Sequence, residues 1–182
     1  MKTENLPVRM VRNHLRNIPY FKLPSPYTIR PYLPGDEAAW IRIQAAADRY
    51  NPITPGLFEQ QFGTDSTVLT ERQFYLCDAA SLPVGTASAW FGVDERRSWG
   101  RVHWVAIVPE MQGQGLAKPL MAVVCNRLRE LGHPRVYLTT ATVRIPAIRL
   151  YLKFGFRPDI QNQQDRQAWR RVQEKISWLF DV

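Results

Sequence analysis

The chain is 182 residues long and carries a formal net charge of +8, from 24 basic and 16 acidic side chains. That length allows one domain with a sizeable core and is short for two. With 45% hydrophobic and 22% charged residues the composition is globular, and no apolar run approaches the roughly 20 residues that a membrane-spanning helix needs.

Much of the positive charge sits at the two ends. Lys2, Arg9, Arg12, Arg16, Lys22 and Arg30 lie in the first segment, and Arg166, Arg170, Arg171 and Lys175 in the last. Scattered, solvated charge and a working basic surface both fit this pattern. The opening Met1-Lys-Thr-Glu-Asn-Leu-Pro7 lacks the apolar core of a signal peptide, and the two cysteines, Cys77 and Cys125, lie inside apolar runs. These features point to a cytoplasmic protein with neither a disulfide framework nor a metal site.

Residues 1–26 hold Pro7, Pro19, Pro24 and Pro26 among short apolar clusters. They read as an N-terminal arm with a short helix near residues 9–16, packed on a single domain spanning 27–182. Residues 27–33 look like the first strand. Pro34-Gly35-Asp36 is a turn whose Asp36 caps a helix running to about Arg49, and a shorter helix covers 56–62. Segments 73–78 and 84–91 are strand-like, and a turn over 92–100 leads to a strand at 101–108. Leu116, Leu120, Val123, Val124, Leu128 and Leu131 recur at helical spacing, which predicts a helix over 115–131 that Gly132 ends. Val136–Ala141 is a β-branched strand, Pro146 opens a helix that Gly155 closes, 156–159 begins a last strand, and 165–178 reads as a terminal helix. This mixture, with a strand–helix–strand–helix unit at 101–154, gives an α/β layered domain around a mixed sheet.

The most informative stretch is Gln112-Gly113-Gln114-Gly115-Leu116-Ala117, between the fourth strand and the long helix. Glycines let a backbone come close to a ligand, and the first turn of a helix presents N–H groups without intrahelical acceptors. The combination makes an anion site. A nucleotide P-loop would need GxxxxGK[ST], and the chain supplies neither that spacing nor the Mg²⁺-binding hydroxyl. A dinucleotide fold would open its first strand–helix unit with GxGxxG or GxGxxA, whereas here Lys118 follows and the turn lies past mid-chain.

The sequence resembles the GCN5-related N-acetyltransferase (GNAT) family. That family's acetyl-CoA motif, [Q/R]-x-x-G-x-[G/A], is met by Gln112, Gly115 and Ala117. A second block, Ala147-Ile-Arg-Leu-Tyr-Leu-Lys-Phe-Gly-Phe156, is similar to its A-x-x-L-Y-x-K-x-G-F stretch. The likeness covers 27–158 and is strongest over 102–156. It implies a GNAT-like (acyl-CoA N-acyltransferase) α/β fold, with a central mixed, mostly antiparallel sheet flanked by helices. It also implies acetyl-CoA as co-substrate, its pyrophosphate over the amides of Gln112, Gly113, Gln114, Gly115, Leu116 and Ala117. The pantetheine arm would pair like an added strand with Val105, Ala106 and Ile107, in a slot where that strand splays from Val136–Ala141. The implied reaction is acetyl transfer to an amine of a small molecule or peptide by direct attack.

At the family position of a tyrosine that donates to the CoA sulfur stands Tyr151, a phenol whose ordinary pKa of about 10 suits a proton or hydrogen-bond donor. Some relatives carry a glutamate on the fourth strand; here that position is Arg101, which stays protonated and cannot be a base. His103 lies on the same strand face if no bulge intervenes, and is the candidate base, directly or through a water. A histidine merely satisfied by hydrogen bonds is the competing reading, and Glu110 and Asp94 are fallback carboxylates. Where many relatives have an asparagine before the second block, this chain has Arg144, which would pair with a CoA phosphate or point to solvent. Lys118 and Lys153 are further candidates for phosphate contacts, and Thr139 and Thr140 for shaping the slot.

The acceptor side would be built from residues 40–62 and the arm, with Tyr50, Asn51, Phe58, Trp90 and Trp104 as candidate lining. No membrane or nucleic-acid partner is expected, and the chain would act as a monomer or homodimer. The alternative is a non-catalytic CoA-binding or nucleic-acid-binding module on the same fold, suggested by the basic ends with Trp169 and Trp178 among arginines.

Overall fold

The computed structural model describes residues 5–94 and 97–176, so Lys2, Trp178 and the expected end of the terminal helix lie outside the described residues. In chain order the elements are β1 Pro7–Arg12, β2 Thr28–Pro31, α1 Asp36–Ala47, α2 Leu57–Phe62, α3 Ser66–Arg72, β3 Gln73–Cys77, β4 Pro83–Asp94, β5 Arg97–Ile107, α4 Ala117–Glu130, β6 Val136–Ala141, α5 Ile145–Lys153, β7 Arg157–Pro158 and α6 Gln163–Lys175. A 3₁₀ turn at Pro109–Met111 joins β5 to the glycine-bearing loop. The strands form one sheet in the order β2-β3-β4-β5-β6-β1-β7. Only β5 and β6 run parallel; the other neighbouring pairs are antiparallel. The sheet is therefore mixed and mostly antiparallel, flanked by helices and not closed into a barrel, as the resemblance implied.

Helices cover both faces. On one, Phe62 of α2 packs edge-on against Trp90 of β4 and His103 of β5, and Trp40 of α1 against Trp104. On the other, Leu120, Val124 and Leu128 form the buried stripe of α4 that packs on β3, β4 and β5. α4 ends at Gly132, whose φ of 76° is the left-handed conformation that stops a helix.

The helix expected near residues 9–16 is absent. Residues 7–12 form β1, inserted between β6 and β7 with register from Pro7↔Ala141 to Arg12↔Val136. Val8 and Met10 enter the core while Arg9 and Val11 point away, so a period of two holds over this stretch and pairing on both sides decides its state. Arg12 is buried, with its Nε donating to the His14 carbonyl at 2.8 Å and its Nη atoms to the carbonyls of Phe154 and Arg16. One guanidinium thus ties the segment after β1 to the end of α5.

Other expectations need adjusting. Asp36 does not cap α1, whose N-cap is Gly35 at φ 99°; its carboxylate instead accepts from the Leu33 N–H at 2.7 Å and pairs with Arg30 at 2.6 Å. The turn expected over 92–100 is largely strand, because β4 and β5 continue as a hairpin to Asp94↔Arg97. Gly92 leaves space that the Tyr137 hydroxyl fills, since a Cβ there would lie 2.0 Å from it. α3 escaped the sequence reading, although Asp65 caps it by accepting from the Thr67 and Val68 N–H groups.

Two irregularities shape the centre of the sheet. β5 pairs with β6 only at Gly100↔Val136 and Arg101↔Tyr137, after which β5 stays with β4 and β6 turns to β1. The two strands part like the arms of a V. Within β5 the register against β4 jumps between Thr86↔Ala106 and Ser88↔His103, so that Ala87 alone faces Trp104 and Val105. This bulge gives Trp104 a φ of 48°, a conformation that a bulky residue rarely adopts.

Candidate functional site

The loop after β5 is held before it reaches α4. The Gln112 side chain donates from Nε2 to the Ile107 carbonyl at 2.8 Å, anchoring the loop to the strand end. Gly113 and Gly115 both have φ 79°, and neither has an atom within 4 Å of where a Cβ would stand. Their side is open, so glycine is required there by the backbone conformation. At the start of α4, Leu116 occupies the N-cap and no side chain caps the helix. In the first turn of this 14-residue helix Pro119 has no N–H and the Lys118 N–H is bonded to the Gly115 carbonyl at 3.1 Å, so it is the loop amides up to Ala117, with the positive end of the dipole behind them, that stand at the open cleft.

That cleft is the mouth of a cavity of about 600 Å³ running between the end of β5 and α5. Val105, Ala106 and Ile107 line one wall, and Arg144, Ala147, Leu150 and Tyr151 the other. Gln112, Gly113, Gly115, Leu116, Ala117 and Lys118 close the loop end. Gln114 does not line it; its side chain accepts from the Tyr27 hydroxyl at 3.1 Å. Lys118 also lies near the Phe21 ring, 5.6 Å from its centroid.

A second cavity, of about 400 Å³, opens on the α1 side of the sheet between Arg101–Val105 of β5 and Thr139, Thr140 and Ala141 of β6. The two cavities share Gln44, Val105, Arg144, Ala147 and Tyr151. The two cavities adjoin along this shared wall.

Tyr151 is buried through its ring, which packs against Phe156 at 6.2 Å, and no described residue hydrogen-bonds its hydroxyl. Burial pushes its pKa up to about 12, against a smaller lowering by Arg144. The phenol is thus firmly protonated at neutral pH.

His103 is also buried, and no bulge separates it from Arg101, so the two share a face. Burial, then the Arg101 charge, takes its pKa down to about 3. The Gln61 Oε1 lies 3.0 Å from the Trp104 Nε1 and 3.1 Å from the His103 Nε2. An indole N–H can only donate, so both nitrogens donate to this oxygen and the lone pair of His103 is at Nδ1. The ring is neutral at physiological pH but weakly basic.

Arg144 lines the same cavity as the loop and is engaged by a carboxylate. Its Nη2 donates to both carboxylate oxygens of Asp48 at 2.8 Å, and its guanidinium lies 5.6 Å from the Tyr50 ring centroid. Burial works to raise the Asp48 pKa, but Arg144, Asn51 and the Tyr50 N–H outweigh it and hold the carboxyl below its ordinary range. Lys153 lines the first cavity, Glu110 is exposed, and the Asp94 side chain lies outside what is described.

Of the expected acceptor-side residues, Asn51 and Trp104 line the second cavity, whereas Phe58 and Trp90 are core and Tyr50 is mostly exposed. Sequence reasoning missed Gln44, Asp48 and Gln61. Gln44 is buried beside Trp40 and Ile43 on the inner stripe of α1 and donates to the Trp104 carbonyl at 3.0 Å, holding the bulge. A polar residue on a core-facing helix stripe was the available signal.

A sequence profile described as the acetyltransferase (GNAT) family matches residues 38–156. The mycothiol acetyltransferase of Pseudarthrobacter chlorophenolicus is 31% identical over 148 residues, 77% of this chain and 45% of that protein. The mycothiol acetyltransferase of Acidothermus cellulolyticus is 30% identical over 82% of this chain and 50% of its own length. The chain thus spans about half the length of these curated relatives. Among solved structures, a GCN5-related N-acetyltransferase from Sphaerobacter thermophilus superposes with a TM-score of 0.67 at 20% identity, over 84% of this chain and 48% of that one. The V-shaped sheet, the open glycine turn and the matched profile together make this chain a member of the acetyltransferase (GNAT) family.

Proposed function

We propose that this chain transfers an acetyl group from acetyl-CoA to a primary amine of a small molecule by direct attack. The observation that carries this reading is the continuity of the first cavity from the uncapped start of α4 to Tyr151, where the second cavity joins it. Acetyl-CoA supplies an activated thioester and an anionic pyrophosphate. The amides from Gly113 to Ala117 suit the pyrophosphate, because open glycines and a helix N-terminus favour close approach of an anion. The β5 edge at Val105, Ala106 and Ile107, unpaired with β6, suits an extended chain of amides. The bulge releases the backbone of Trp104 and Val105 from pairing with β4, which frees an N–H to polarise the thioester carbonyl.

Tyr151 donates a hydrogen bond to the departing sulfur. A phenol near pKa 12 cannot readily hand its proton to a thiolate whose conjugate acid has a pKa of about 8.5, so the bond stabilises the leaving group without full transfer. His103, held neutral, orients a water through its Nδ1 lone pair; its low basicity fits it poorly to strip an ammonium unaided. The relatives' name favours a small molecule over a peptide as acceptor, with a mycothiol-related amine as the first to try. The chain works in the cytoplasm, where acetyl-CoA is at hand. No described feature favours the nucleic-acid-binding alternative.

The test is thermal stabilisation by acetyl-CoA followed by free-thiol release across a panel of amines. Stabilisation and amine-dependent release are expected. No stabilisation would remove the cofactor reading, and stabilisation without release on a broad panel would favour a binding module.

A further inference from the structure

The second cavity holds a cation with no counter-ion among the described residues. Arg101 lines it, yet among the described residues no carboxylate pairs with it and no hydrogen bond reaches it. Its Nε is shut off from solvent without an acceptor, and its guanidinium lies 5.7 Å from the Tyr137 ring centroid at the apex of the V. Burial lowers its pKa, but a guanidinium keeps its charge in a protein.

The surroundings leave that charge uncompensated. Among the described residues lining the cavity none is acidic. The other arginine there, Arg144, is committed to Asp48, and His103 is neutral. Asn51, Gln61, Thr139 and Thr140 offer neutral hydrogen-bonding groups. Arg101 does not line the first cavity, so its partner is not the pyrophosphate held at α4. A half-buried guanidinium whose Nε is shut off from solvent and unsatisfied matches a carboxylate or phosphate, which takes charge-assisted and often bidentate bonds from arginine.

We propose that Arg101 is a specificity determinant that binds an anionic group, carboxylate or phosphate, on the acceptor. The acceptor class is then a small primary amine carrying an acidic group. This rests on the acetyl-transfer reading, since it assigns the second cavity to the acceptor.

The experiment compares matched amines: O-phosphoethanolamine against ethanolamine for phosphate, and β-alanine against β-alaninamide for carboxylate. Wild type, Arg101→Gln and Arg101→Lys are measured at fixed ionic strength. Wild type is expected to favour at least one anionic member by about ten- to hundredfold in kcat/KM, mostly through KM. The ratio falls to about one in Arg101→Gln and is partly restored in Arg101→Lys. Stabilisation by acetyl-CoA reports that each variant is folded. A wild-type ratio of one or less for both pairs would overturn the proposal, as would a ratio unchanged in Arg101→Gln. If no amine is turned over, the acetyl-transfer reading fails, and calorimetric titration of the same four amines in the presence of CoA decides the proposal. Saturable binding of an anionic amine lost in Arg101→Gln supports it; binding that is absent, or equal in both proteins, overturns it.

Discussion

Arg144 and Asp48 join the two arms of the V. Asp48 is the C-cap of α1, which packs on β4 and β5, while Arg144 is the N-cap of α5 on the β6 side. The pair links residues 96 apart in sequence at 2.8 Å, and Asp48 is only 3% exposed. Arg144 lines both cavities and Asp48 the first, so the pair stands beside the wall that they share.

Removing Arg144 leaves a desolvated carboxylate, but three donors remain: the Tyr50 and Asn51 N–H groups and the Asn51 side chain. Arg144→Ala should therefore cost about 1–2 kcal/mol at pH 7 rather than the larger cost of a fully orphaned buried charge. Asp48 has a depressed folded pKa, so its contribution is present above an unfolded pKa of about 3.9 and is lost as pH falls through the folded value. Urea midpoints of the two proteins should converge on acidification below about pH 4. A gap that persists there would deny the pair its charged character.

Tyr151→Phe separates chemistry from folding. The hydroxyl has no partner among the described residues, so stability and acetyl-CoA binding should hold, while kcat falls by roughly a hundredfold or more. Single-turnover thiol release measures this. An unchanged rate would remove the hydrogen bond to sulfur and leave the fold assignment intact.

At Gly115 the two demands on a glycine can be told apart. Alanine meets no atom within 4 Å but must adopt φ 79°, which costs about 1–2 kcal/mol. Its methyl group would project into the open side of the turn. Gly115→Ala should lower the melting temperature by a few degrees and weaken acetyl-CoA by at least about tenfold beyond that. Equal affinity by calorimetry would mean that the anion sits elsewhere.

Arg12 shows why part of this fold was hidden in the sequence. Its role depends on the carbonyls of His14, Arg16 and Phe154, which no local pattern brings together. β1 was misread for the same reason, because its neighbours β6 and β7 lie more than a hundred residues away. The elements around the glycine turn were legible because their signals are local: the stripe of α4, the stop at Gly132, the β-branched run of β6. The cavity walls at Val105–Ile107 and Tyr151 followed from the two motifs. Asp48 and Gln61 did not, since a carboxylate after a helix and a glutamine within one look like solvated surface. Arg101 was noted only as a residue unable to act as base. Its isolation appears when the strands are folded together.

Arg12→Ala should destabilise the protein by about 3 kcal/mol, since it orphans buried carbonyls and opens a cavity. Arg12→Lys should recover little, because a point charge cannot reach acceptors arranged around a planar fork. Urea midpoints check both, and a Lys variant as stable as wild type would mean that the charge matters and the fork does not.

His103 ties stability to pH in a direction that can be worked out. Its folded pKa near 3 lies below the ordinary value of about 6.5, so between these values the unfolded chain holds more protons. Stability is fully present above about pH 6.5 and declines as pH falls toward the folded value. His103→Gln removes that dependence, so its urea midpoint should change less than that of wild type between about pH 7 and pH 4. The same shift expects no inflection from His103 near pH 6.5 in the rate profile of wild type. An inflection there that disappears in the variant would make His103 a titrating base after all. Its Nδ1 would then be taking the acceptor's proton rather than aligning a water.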